Sequence, residues 1–137
     1  MRKILVLMLA LAVGLALGAL GTQALHAQQP ITRTVLVKSE GLKGISGMDG
    51  YVMDVTIAPG AQSGRHVHPG HEFSYILDGE GILEVDGQPP LTLKKGVTFH
   101  NEPMVVHNGI NSSMTTPLHV LVFYVLETGK PIATPVK

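Results

Sequence analysis

The stretch GAQSGRHVHPGHEFSYILDG, residues 60–79, gathers three candidate ligands for one metal, His66, His68 and Glu72, into seven residues. His66 and His68 stand two apart, which on an extended chain puts both imidazoles on one face. Glu72 follows across Pro69-Gly70, a dipeptide that turns the chain and brings the carboxylate back toward the histidines. Buried imidazoles and carboxylates lose free energy unless they are paired or bind a metal, and a shared cation removes that penalty inside a β core. A fourth ligand must come from a neighbouring strand. His107, approached through the apolar Met104, Val105 and Val106, is the best-placed candidate.

Outward from this stretch the chain reads as short strands. From Gln28 to Lys137 no window carries apolar residues at three- and four-residue spacing without an interrupting glycine or proline, so helices are not expected. Residues 35–38 and 51–57 are rich in β-branched side chains, and Pro59-Gly60 closes the second run. Residues 73–77 and 82–85, joined through Asp78-Gly79-Glu80-Gly81, read as a hairpin, and Asp86-Gly87 opens the next turn. Residues 91–93, 97–100, 104–107 and 118–126 complete the set. Strands about 8 to 12 residues apart, with glycine or proline between them, predict an antiparallel sandwich or barrel. The last run is apolar at nearly every position, where a strand buried on one face would alternate. Its second face needs a cover. A symmetric homodimer supplies one, and the chain's own terminal segments are the other choice.

At this point a family resemblance enters. Gly60, five residues, His66-Val67-His68, three residues, Glu72, six residues, Gly79 resembles the first cupin motif in full. The second motif of that family runs glycine, five residues, proline, one residue, glycine, two residues, histidine, three residues, asparagine. Gly96, His107 and Asn111 fall at those spacings, while Glu102 stands at the proline, Met104 at the second glycine and Pro103 one place late. The resemblance spans roughly residues 53–125. It implies an all-β jelly roll of about six to eight antiparallel strands, with one divalent metal in its mouth on His66, His68, Glu72 and His107. It also implies that Asn111 holds the turn after the last histidine. Such nitrogen and oxygen ligands suit Mn, Fe, Ni, Cu or Zn and leave open the coordination positions a catalytic site keeps.

Composition narrows the function. The chain has 137 residues, 45% of them apolar, a size and content suited to one domain with a real core. There are no cysteines, which excludes disulfides, thiolate metal sites and cysteine nucleophiles. Arg2-Lys3, the apolar run from Ile4 to Leu20 and small residues up to Ala27 form a secretory signal peptide, with cleavage after Ala27 or after Ala24; a retained anchor is the minor alternative. Residues 28–137 are then the cupin domain, its core about 50–127, and the protein is expected in the periplasm or secreted. Formal charge is zero, and losing Arg2 and Lys3 takes it to minus two, with no basic run beyond Lys94-Lys95. Nucleic acid is a poor partner for such a chain. The partner expected is a small organic molecule, with no stable membrane insertion after cleavage.

The leading expectation is therefore an exported metalloenzyme. Its ion serves either as a Lewis acid for isomerase, lyase or decarboxylase chemistry or as a dioxygenase centre. Glu72 and His100 are the candidates for moving a proton. The alternative is a non-catalytic cupin that captures a small ligand. His71, next to Glu72, is expected on the opposite face and at the surface, Tyr75 and Phe73 in the core, and His119 in a structural role.

Overall fold

The computed structural model describes residues 30–137. The expected leader, residues 1–27, and its cleavage site lie outside the described residues. Among the described residues ten strands follow one another: β1 (Ile31–Ser39), β2 (Met48–Ile57), β3 (His66–Val67), β4 (Gly70–Asp78), β5 (Glu80–Val85), β6 (Leu91–Lys94), β7 (Thr98–Asn101), β8 (His107–Asn111), β9 (Leu118–Glu127) and β10 (Thr134–Pro135). They form two five-stranded antiparallel sheets, ordered β1-β2-β9-β4-β7 and β10-β3-β8-β5-β6. From β2 onward the chain changes sheet at nearly every connection, which closes the layers on one another as the jelly-roll expectation requires.

The core lies between the layers. Leu118, Val120 and Val122 of β9 stand opposite Ile57, Val55 and Met53 of β2, and all six are buried. Ile76 of β4, Leu83 of β5 and Leu93 of β6 join the same cluster. Contrary to the reading of its sequence, β9 alternates. Leu121 and Val125 are half-buried on the outer face, Phe123 is 43% exposed there, and His119 meets Asp54 at 2.7 Å. The chain itself therefore covers mainly the inner face of β9. Phe73 and Tyr75, expected in the core, also lie on this outer face, because the strand's inward positions are taken by Glu72, Ser74 and Ile76.

The hairpin expected between residues 73–77 and 82–85 does not form. β4 pairs with β7 and β9, whereas β5 pairs with β6 and β8 in the other sheet. Gly79, at φ +86°, is the corner at which the chain leaves one sheet for the other. The β5–β6 connection through Asp86-Gly87 is the true hairpin, closed by Gln88 N–H donating to the Val85 carbonyl at 3.0 Å.

The strand expected over residues 104–107 begins only at His107, because Met104 sits in a left-handed turn at φ 62° with its N–H donating to the His68 carbonyl at 2.9 Å. This is the position where the family pattern has glycine. The turn survives the departure, but a side chain there carries roughly 1–2 kcal/mol of left-handed strain. Met104→Gly should relieve it while adding about 0.5–1 kcal/mol of backbone entropy. A net gain of about 0.5 kcal/mol is expected from urea denaturation, and a loss would mean that the exposed methionine makes a compensating contact.

Candidate functional site

The site is built by alternation and register. On β3, His66 stands opposite His107 of β8, so two imidazoles from adjacent strands share one spot. The rings of His66, His68 and His107 lie 4.4 to 5.0 Å apart between centroids. Glu72 reaches the same point from the other sheet, with Oε2 3.1 Å from His107 Nε2 and 3.4 Å from His68 Nε2. The four side chains named from the sequence are thus brought together.

Each ring is oriented through its other nitrogen. His66 Nδ1 meets the Gly64 carbonyl at 2.7 Å, His107 Nδ1 the Val105 carbonyl at 3.0 Å, and His68 Nδ1 the Ile132 carbonyl. A carbonyl only accepts, so every Nδ1 carries the proton and every Nε2 of a neutral ring presents a lone pair. Among the described residues the Nε2 atoms of His68 and His107 are buried and lack a hydrogen-bond partner. Buried lone pairs facing a carboxylate are unfavourable until a cation stands among them, and a backbone carbonyl on Nδ1 is the usual support of a metal-ligating histidine. The donor set fits one divalent transition ion.

The electrostatics agree. Burial lowers His66 to about 4, leaving it neutral and ready to ligate at pH 7. Burial alone would raise Glu72, but the imidazoles of His107 and His68 outweigh it and hold the carboxyl well below its usual range. Burial likewise opposes charge on His107, yet Glu72 offsets this and raises it.

Several neighbours of the site are illegible in the first motif. Ser74 Oγ donates to Glu72 Oε1 and Asn101 Nδ2 to Oε2, both at 2.9 Å. Tyr124 stands beside Glu72 in the β4–β9 register, its ring centroid 4.8 Å from that of His68. Burial, and then the Glu72 charge, push its phenol well above the ordinary value, so it stays protonated. A cavity of about 60 Å³ opens at His66, Glu72 and His107, and its wall includes Tyr124, Ser63 and Arg33. Arg33 is opposite inward-facing Val55 and is the one lysine or arginine in that wall. The available signals were Ser74 two residues beyond Glu72 and a lone phenol in the apolar row of β9.

His100 does not reach the cavity. On β7 it is Asn101 that points inward, whereas His100 pairs with outward Phe73 and stacks on its ring at 4.5 Å and 7°. The sequence reading of His100 as a proton-moving group is corrected on that ground. His71 is at the surface, as expected. Asn111 is buried and does hold the turn: Nδ2 donates to the carbonyls of Ile57, Ala58 and Thr116, and Oδ1 accepts from the Ser113 N–H.

Two five-stranded sheets with a histidine-carboxylate cluster at an interior cavity define a class of small all-β jelly rolls. The model of the cupin domain matches residues 53–124, and the chain belongs to the cupin family. No curated protein matches it by sequence. Among solved structures, a cupin-like protein from Thermotoga maritima MSB8 is 24% identical over 77% of this chain and 75% of its own, with a TM-score of 0.60. A conserved protein with a double-stranded β-helix domain from Klebsiella pneumoniae is 22% identical over 81% and 89%, at 0.62. DMSP lyase DddQ from Ruegeria pomeroyi DSS-3 is 22% identical over 78% of this chain, at 0.60; the chain spans 52% of that lyase.

Proposed function

We propose that the chain is an exported cupin metalloenzyme that transforms a small organic molecule in the barrel, its ion held by His66, His68, Glu72 and His107. The observation that carries this reading is the convergence of unpartnered Nε2 atoms and the Glu72 carboxylate at a cavity whose wall also holds a protonated phenol. The bound ion supplies Lewis-acid polarisation of a substrate oxygen. Glu72 has both oxygens engaged by Ser74 and Asn101 and serves as a ligand. Proton transfer then falls to Tyr124, the neutral acid nearest the ligands. Arg33 in the wall favours a substrate carrying a carboxylate.

Lyase or isomerase chemistry is the first class to assay, supported by Tyr124 and by a DMSP lyase that shares the fold. Metal-loaded protein is to be incubated with a panel of small organic acids, with conversion followed by NMR and oxygen by electrode. Conversion without oxygen uptake is expected, with Tyr124→Phe about 10²–10⁴-fold slower at unchanged ion content. Oxygen uptake would move the protein to the dioxygenases. Saturable binding without conversion would make it a ligand-capture module.

Export and pairing belong to the same reading. Amino-terminal sequencing of the exported protein should begin at Gln28, and a chain that retains Met1 would make the leader an anchor. Exposed Phe73, Tyr75 and Phe123 form an aromatic patch on the outer face of the β4–β9 sheet, and a second copy presenting the same patch is its self-complementary cover. Ultracentrifugation should give a dimer that Phe123→Arg dissociates; a monomeric wild type ends that idea.

A further inference from the structure

The strand pair that carries Glu72 and Asn101 inward carries a second ligand set outward. In the β4–β7 register Phe73 faces His100 and Glu72 faces Asn101, so His71 comes level with Glu102 just past the end of β7. His71 Nδ1 lies 3.0 Å from His100 Nε2 and 3.4 Å from Glu102 Oε2, and one ligand atom from each residue falls within 4.8 Å of the others. We infer that His71, His100 and Glu102 form a second divalent-cation site, on the outer surface and separate from the interior one.

The spacing suits an ion. Tetrahedral zinc with bonds of about 2.0–2.1 Å places its ligand atoms roughly 3.3 Å apart. Only one proton can sit between two facing imidazole nitrogens, whereas a cation satisfies both together with the carboxylate. The rings are also preset: His100 stacks on Phe73 at 7°, and His71 lies at 24° to His100 with centroids 5.2 Å apart. Ligands already held in place lose little freedom when the ion arrives. Two imidazoles and one carboxylate select borderline ions such as Zn²⁺, Ni²⁺ or Cu²⁺ over Mg²⁺ or Ca²⁺. In the single chain all three residues are partly exposed, with side chains 36 to 63% accessible, so an ion can enter from solvent.

The test is equilibrium dialysis of the full chain against Zn²⁺, read by elemental analysis. The wild type should take up about two ions per chain, and His71→Ala/His100→Ala about one. His66→Ala/His107→Ala should also keep about one, and in that variant Zn²⁺ should still shift the ring-proton NMR signals of His71 and His100. Glu102→Gln should weaken this binding by about tenfold. The proposal is overturned if the His66→Ala/His107→Ala variant binds no zinc, or if removing His71 and His100 leaves the wild-type stoichiometry unchanged. Failure of the interior site alone would appear differently: the wild type would bind one ion, and that ion would be lost with His71 and His100.

Discussion

His68→Ala is expected to leave purification with less than about a tenth of an ion per chain, against about one in the interior site of the wild type, while the strands persist. The outer histidines are replaced by alanine in both proteins so that only the interior site is counted. His68 is 3% exposed, and its Nε2 points at Glu72 rather than at a hydrogen-bond partner. Alanine deletes one of the four proposed ligands. The fold should survive because the apolar cluster is supplied by β2, β4, β5, β6 and β9 and contains none of the four ligands. What the variant also loses is the His68 bond to the Ile132 carbonyl, which ties down the segment leading to β10. An ion at a hundred times its Kd stabilises the folded chain by about 2.7 kcal/mol. The variant should therefore melt close to chelator-treated wild type and well below the metal-loaded protein. Elemental analysis beside a circular-dichroism melt checks both halves. Retained ion would remove His68 from the ligand set, and an unfolded variant would make the ion a structural one.

The ligand cluster was legible because its signal is local. Two histidines at strand period, a Pro-Gly turn and a carboxylate sit in seven residues, and burial of such groups has few inexpensive explanations. His107 was less directly legible, named from its apolar approach and then from the family spacing, since its pairing with His66 joins residues 41 apart, 107 less 66. What failed were readings that depend on which strand lies beside which. His100 and Asn101 are adjacent, and either can face inward until the β4–β7 register decides. Tyr124 looked like one more apolar residue of β9 until β4 brought Glu72 beside it. The missed hairpin has the same origin: alternation marks residues 73–77 and 82–85 as strands but does not name their partners. Met104 shows the converse, a motif departure that the backbone absorbs at φ 62° while His107 still joins the cluster.

Gly79→Ala is expected to destabilise the fold by about 3 kcal/mol or more, the range reached when a special backbone conformation and a packed site are both violated. A Cβ at Gly79 would lie 2.3 Å from the Pro117 carbonyl oxygen and 2.9 Å from Leu118 Cα. Both are backbone atoms, so no side-chain rotation relieves the overlap. Leu118 is fully buried and pairs with Ile57, which means the displaced chain is the start of the central strand β9. The φ of +86° adds the left-handed penalty. Gly87→Ala separates the two contributions, because Gly87 has φ +77° but nothing within 4 Å of its Cβ direction. That variant should lose only about 1–2 kcal/mol. For a domain of about this size, 3 kcal/mol lowers Tm by at least about 12 °C. If the two variants melt alike, the close approach at the corner is not what holds β4 and β5 in separate sheets. If Gly79→Ala falls much further, the second glycine of the first motif is a packing requirement: it lets the strand that carries Glu72 end against β9 and pass into the opposite sheet.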